Sequence, residues 1–236
     1  MPSNSTQNRL PNNCGIVVLS GGGSTRMGVD KSALLIDDAT TFLNRIVQRA
    51  ADLTDKIVIA VGQNTSKSYQ DRYADCSEFQ NVIWAEDSVA NQGPMEGIHQ
   101  GLKTLEQNFP QCQNAFVTSC DVPELNSDLI LTLLKKIGDY DAVTPIDGKR
   151  IYGMTAIYKC SVWAAAAQNV ASQQLRVSML AQSVSSTTVD VSDLKTVDPH
   201  LNSFENINTP DDYFAFLKKT NVHSSDKMKQ QFAAGP

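Results

Sequence analysis

Residues 19–31 read Leu-Ser-Gly-Gly-Gly-Ser-Thr-Arg-Met-Gly-Val-Asp-Lys and directly follow a short apolar run, Gly15-Ile16-Val17-Val18-Leu19. Consecutive glycines at Gly21, Gly22 and Gly23 let the backbone take positive φ and turn its N–H groups inward, which makes a concave anion site without side-chain crowding. Arg26 offers a fork of donors for phosphate oxygens, Lys31 a mobile point charge, and Ser24 and Thr25 two hydroxyls. The chemistry is phosphate binding; a glycine turn with solvated charges is the plainer alternative. Two common phosphate loops are excluded. A G-x-G-x-x-G turn needs glycine where Arg26 stands, and a G-x-x-x-x-G-K loop needs lysine where Val29 stands.

Three further segments carry polar groups at the ends of apolar runs. Ala115-Phe116-Val117-Thr118-Ser119-Cys120-Asp121-Val122-Pro123 puts a carboxylate after a buried strand, where a hard oxygen ligand can hold Mg²⁺ against substrate phosphates. A turn or capping aspartate ahead of Pro123 is the alternative. Asp87 precedes Gly93-Pro94, where proline presets a helix start and glycine admits close backbone approach; a turn with a solvated carboxylate suits Asp87 as well. In Asn206-Ile207-Asn208-Thr209-Pro210-Asp211-Asp212, alternation sends both asparagines to one face, and an Asn208 carbonyl can complete a magnesium shell. Asn206 fits a cap cluster nearly as well. His99, His200 and His223 fall in none of these segments, and Cys120, with no histidine near it in sequence, reads as packing.

The elements that must position these groups follow from periodicity. Apolar, β-branched runs at 15–19, 56–61, 81–85 and 115–118 read as buried strands, with later strands near 141–144, 155–158 and 187–191. Helical spacing appears at 41–53, from Met95 to Leu105, and from Ile130 to Ile137, the last capped by Ser127 and stopped by Gly138. A final helix has Thr209 as N-cap, Pro210 in its first turn, and Lys218 and Lys219 at its end. This alternation predicts a single α/β domain over 14–220, a Rossmann-like, mainly parallel sheet with helices on both faces. The polar ends, 1–13 and 221–236, read as disordered tails. Ligands in such sheets gather at the carboxyl ends of the strands, where Leu19, Asp87 and Asp121 stand.

Composition bounds the rest. The 236 residues are 41% hydrophobic and 19% charged, enough for a proper core, and the net charge of −5 offers no general field for nucleic acid or an anionic membrane. The five cysteines form no C-x-x-C pair and fit reduced thiols in a cytoplasmic protein. Neither a signal peptide nor an apolar run of spanning length is present.

In register over thirteen positions, residues 19–31 resemble the pattern L-[AS]-G-G-x-S-x-R-M-G-x-D-K of the MobA-like nucleotidyltransferases, the family of the molybdenum cofactor guanylyltransferases. The segments at Asp87 to Gly97, at Cys120-Asp121-Val122-Pro123 and at 206–212 are similar to that family's other motifs, so the resemblance covers roughly 15–218. It implies a nucleotide-diphospho-sugar-transferase-like fold. The backbone from Leu19 through Ser20 and Gly21 to Gly22 would face base and sugar, Arg26 and Lys31 the phosphates, and Asp87, with Gly93 and Pro94, the nucleotide. Asp121 would be the metal ligand. It further implies GTP and molybdopterin as substrates, with Mg²⁺: the terminal phosphate of molybdopterin attacks the α-phosphorus and pyrophosphate leaves. One stretch departs. Relatives read [HQ]-P-[LT] where this chain has Tyr152-Gly153-Met154, on the acceptor side. A cytidylyltransferase, transfer to another phosphorylated acceptor, and a nucleotide-binding regulator without turnover stay open. Relatives that use CTP tend to carry Ala-Gly in place of Gly21-Gly22, which favours GTP.

Overall fold

The computed structural model describes residues 9–21, 27 and 29–232. Its centre is β1 (Cys14–Leu19), six buried residues flanked by parallel partners on both sides. One partner is β2 (Ile57–Val61), which in turn pairs with β3 (Ile83–Glu86); the other is β4 (Asn114–Ser119). The apolar runs of β1 and β2 suit this position because both faces of these two strands are buried. Beyond β4 the direction changes. β7 (Ala156–Lys159) runs antiparallel between β4 and β5 (Ala142–Asp147), the short β6 (Arg150–Ile151) forms a hairpin with β5, and β8 (Ser186–Asp190) pairs parallel with β5. The sheet is therefore mixed: parallel in its first half and interrupted by β7 in its second. Hydrophobic periodicity reports burial, not strand direction, so nothing in the pattern marked this reversal.

Alternate residues of β1 split between two cores. Ile16 and Val18 face α1 (Phe42–Leu53), α2 (Ser66–Arg72) and α4 (Ser127–Leu134). Val17 and Leu19 face α3 (Gly93–Asn108), α5 (Trp163–Ala171) and α6 (Val177–Ser183). A third, smaller core joins Met27 and residues 34–36 to α8 (Pro210–Lys219) and α9 (Asp226–Gln230). The helical turn α7 (Val191–Leu194) follows β8. α1 and α8 begin with capping boxes on Thr41 and Thr209, as the sequence of the latter predicts. α4 is capped one residue earlier than expected: the Asn126 side chain, not Ser127, accepts from the Leu129 N–H at 3.0 Å. Residues 221–232, read from the sequence as part of a disordered tail, carry α9 and bury Met228. Among the described residues no helix is long and apolar enough to cross a membrane.

α3 lies close on β1 because Gly101 removes the side chain between them. A Cβ there would stand 2.3 Å from Val17 Cγ1. Replacing a helical glycine with alanine usually gains about 1 kcal/mol, but overpacking a stiff, fully buried valine costs about 1–3 kcal/mol. Gly101→Ala should therefore lower the urea midpoint, and the same change in a Val17→Ala background should raise it. A raised midpoint in the otherwise wild-type chain would disprove this packing.

Candidate active site

Of the groups singled out in the sequence, Lys31, Asp121, Asn206 and Asn208 meet beyond the carboxyl ends of β1 and β4. Asp121 follows β4 by two residues, and its backbone is held by the Ile207 N–H, which donates to the Asp121 carbonyl at 3.0 Å. One carboxylate oxygen accepts from Ser119 Oγ at 2.7 Å and Asn206 Nδ2 at 3.2 Å. The other accepts from Lys31 Nζ at 3.0 Å, and the same ammonium donates to Asn208 Oδ1 at 2.7 Å. Three segments, 90 and 177 residues apart along the chain, thus close on one ammonium. The Lys31 and Asp121 side chains keep only 17% and 11% of their surface exposed, which strengthens the pair relative to one in open water. Asn208 is fixed in turn by the α8 cap, since its N–H and that of Thr209 both donate to the Asp212 carboxylate.

Lys31 opens a tight turn, Lys31–Ala33, capped by Asp30, whose Oδ1 accepts from Ser32 N and Oγ. α2 braces this turn and the other flank of the loop together. Arg72 Nη1 donates to Asp30 Oδ2 at 2.7 Å, the Tyr73 hydroxyl to the Ser32 carbonyl at 3.2 Å, and the Tyr69 hydroxyl to the Ser20 carbonyl at 2.9 Å. Sequence reasoning missed all three side chains. The only signal they gave was two tyrosines and an arginine spaced three and four apart in a polar stretch, a pattern that equally fits a surface helix. On the opposite side, Gly21 lies against the backbone after β2: a Cβ there would stand 2.7 Å from Gly62 N. Gly22 and Arg26, both expected in the site, lie outside the described residues, as does Gly28.

Asp87 stands at the end of β3, with its N–H donating to the Val61 carbonyl at 2.9 Å. Among the described residues no donor meets its carboxylate. Desolvation and the neighbouring charge of Glu96 push Asp87 up to about 7. Glu96, fully buried in the first turn of α3, accepts from Ser88 N (2.9 Å), Ser88 Oγ (2.7 Å) and Gln100 Nε2 (2.9 Å), and pairs with His99 Nδ1 at 3.0 Å. Burial alone raises Glu96, but the hydrogen bonds from His99, Ser88 and Gln100 outweigh it and hold its carboxyl below the ordinary value. Glu96 therefore anchors the loop that presents Asp87; the sequence gave no reason to single it out. Gly93, with φ of +62°, and Pro94 set the start of α3 as expected. Cys120 is buried and its thiol is pushed up to about 12 by burial and by Asp121 beside it, so it packs rather than reacts.

The departure at Tyr152-Gly153-Met154 lines a cavity of about 340 Å³ that Asn206 borders, alongside Arg150 and Arg176. The Arg150 guanidinium lies 4.5 Å over the Tyr152 ring, which meets Phe204 edge-on, while the Tyr158 hydroxyl donates to the Gly153 carbonyl. A larger cavity of about 770 Å³ opens between Pro123 and α8. Its charged lining, Glu124, Glu205, Asp212 and Lys219, is net acidic and unsuited to phosphates.

The sequence profile of the MobA-like NTP transferase domain matches residues 16–187. A probable molybdenum cofactor guanylyltransferase of Methanosarcina mazei is 30% identical over 216 residues, covering 90% of this chain and 92% of its own. A molybdenum cofactor guanylyltransferase of Desulfosudis oleivorans is 26% identical, covering 83% and 90%. Among solved structures, molybdopterin-guanine dinucleotide biosynthesis protein A of Archaeoglobus fulgidus superposes with a TM-score of 0.72 at 18% identity, over 88% of this chain and 98% of its own. At that identity the likeness shows the fold.

Because the folded-state value of Asp87 is raised from 3.8 to about 7, the protein binds its proton more tightly than the unfolded chain does. The stability this contributes is present in full below pH 3.8 and is lost as pH rises through about 7. Asp87→Asn, which stays neutral, should therefore raise the unfolding temperature more at pH 8 than at pH 5, where only part of this stability has been lost. Each kcal/mol recovered corresponds to about 2–4 °C in a chain of this size. An equal shift at both pH values would show that Asp87 is not held neutral by its surroundings.

Proposed function

Since the chain belongs to the MobA-like NTP transferase family and is a nucleotidyltransferase, we propose that it transfers GMP from GTP to the terminal phosphate of molybdopterin in molybdenum cofactor biosynthesis. The observation that carries the reading is the meeting of Lys31 with Asp121 and Asn208, at 3.0 and 2.7 Å, on the side of the sheet where the glycine loop leaves β1. A charged lysine, a carboxylate and an amide oxygen at one point exceed what nucleotide binding alone requires. They suit a reaction in which negative charge moves between phosphate oxygens.

The donor set also fits magnesium. Asp121 and Asn208 supply hard oxygens already arranged around a cation, the Lys31 ammonium, and Mg²⁺ commonly takes one or two carboxylates together with substrate phosphates rather than a complete protein cage. Bound there, the ion would offset charge on the nucleotide phosphates. The Asp121 carboxylate is held in its orientation by Ser119 and Asn206, and Asn208 by Asp212.

In the reaction, an oxygen of the acceptor phosphate forms a bond to the α-phosphorus and the bond from that phosphorus to the pyrophosphate oxygen breaks. The attacking oxygen is already anionic, so no general base is needed; positioning and charge neutralisation suffice. Lys31 and Arg26 meet the phosphates, and Lys31 stabilises the leaving oxygens. Asp87 accepts hydrogen bonds from the guanine edge, near Gly93 and Pro94, while the Leu19 to Gly22 backbone borders the base and sugar. The cavity beside Asn206 takes the acceptor, whose phosphate suits Arg150 and Arg176.

A panel of purified protein, molybdopterin, Mg²⁺ and each of four nucleoside triphosphates tests this. Pyrophosphate release should require GTP and molybdopterin together. Asp121→Asn should lower it at least about a hundredfold, the usual cost of losing a principal electrostatic group, in a protein that still unfolds cooperatively, at a lower temperature because Lys31 loses its anionic partner. Release with CTP in preference to GTP would move the protein to cytidylyl transfer. Near-wild-type turnover by Asp121→Asn would remove Asp121 from the site.

A further inference from the structure

Residues 225–232 lie beyond the matched domain, 16–187, and none of the sequence motifs extends into them. They nevertheless pack on the chain that carries Lys31. Met228, 1% exposed, joins Met27, Leu34, Leu35 and Ile36 in the third core. Gln231 Oε1 accepts from the Leu35 N–H at 3.0 Å, and Lys227 Nζ donates to the Asp38 carbonyl at 2.7 Å. The Tyr213 hydroxyl of α8 donates to the Leu35 carbonyl at 2.7 Å, and the Phe232 ring lies 5.3 Å from that of Tyr213. Leu34 in turn returns its N–H to the Lys31 carbonyl.

The consequence is geometric. α8 begins directly after Asn208, one of the two acceptors of the Lys31 ammonium, and α9 folds back from the far end of α8 onto the segment leading out of Lys31. A single small core therefore fixes both partners of the Lys31–Asn208 contact relative to one another. A lysine side chain has several rotatable bonds, and its ammonium is only as well placed as the backbone behind it. We propose that residues 225–232 are a positioning element for the nucleotide phosphates, with Met228 and Gln231 holding residues 31–36 so that Lys31 stands at Asp121 and Asn208. This rests on the reading that Lys31 meets the phosphates.

The test compares affinity for Mg²⁺-GTP with affinity for guanosine, by calorimetry on the full chain. Only the first ligand uses Lys31, so the ratio isolates the phosphate contribution from the base. Met228→Ala and Gln231→Ala should each lower that ratio by roughly fivefold, the scale of one net hydrogen bond. Met228→Leu, which refills the core, should restore it. Leu133→Ala serves as the control for general destabilisation, since Leu133 is buried under the other core and shares none of these contacts. It should lower the unfolding temperature and leave the ratio unchanged. Hydrogen exchange at Leu34 and Leu35 should quicken in the first two variants and not in the control. Gln231→Ala keeps the question open to experiment should Met228→Ala fail to fold. If wild type gains from the phosphates but Met228→Ala and Gln231→Ala keep that gain, the positioning role is wrong. If wild type binds guanosine as tightly as GTP, the phosphate reading of Lys31 falls and the positioning role with it.

Discussion

The site depends on one ammonium shared between two oxygens that the chain brings from far apart. Lys31 and Asp121 are both largely removed from water, and a charge in that position is costly unless it is paired and its remaining sites are bonded. Here the requirement is met on every side: Asp121 by Lys31, Ser119 and Asn206, and Lys31 by Asp121 and Asn208. The constraint reaches outward from there. β1 and β4 must be neighbours for the glycine loop and Asp121 to meet, and α8 must start where it does for Asn208 to face them.

Around this centre the structure supplies supports of two kinds. Polar side chains from α2 and from Tyr73 at its C-cap grip both described flanks of the loop, at Ser20 and at Asp30 to Ser32, so the loop's ends are held from one place. Apolar packing from α8 and α9 holds the chain just after Lys31. On the far side of the sheet the logic is reversed. Among the described residues Asp87 meets no donor, while the buried Glu96 beneath its loop is bonded to Ser88, His99 and Gln100, so the second carboxylate of the neighbouring pair serves the scaffold. A group with a perturbed proton affinity at a strand end is a common mark of a functional position.

Much of the site was legible because each part is a short contiguous motif at the end of an apolar run. The glycines with Lys31, the aspartate after Thr118 and Ser119, and the asparagines before Thr209-Pro210 all stand where such runs end. What could not be read was what each group meets. Nothing in one sequence says that Lys31 pairs with Asp121, that Tyr69 and Arg72 of a seven-residue polar helix and Tyr73 just after it brace the loop, or that Glu96 is buried beneath Ser88. The antiparallel β7 escaped for a related reason: its apolar residues look the same in either direction. In the C-terminal stretch, the buried Met228 and the half-buried Phe232 are too few and too widely spaced to give a period, so the segment reads as a tail.

On the proposed reading, Lys31 acts on the reaction itself and not merely on nucleotide capture. In the ground state its charge is partly redundant with the other phosphate-binding groups; as pyrophosphate departs, charge builds on the leaving oxygens and a fixed ammonium gains value. Single-turnover kinetics of Lys31→Ala with titrated GTP separate the two contributions. The predicted result is a chemical step slowed about a hundredfold, corresponding to about 3 kcal/mol of lost transition-state stabilisation, with nucleotide Kd weakened much less. A Kd weakened by the full factor at an unchanged rate would make Lys31 a binding residue only, and no change in either would contradict the assignment of this site.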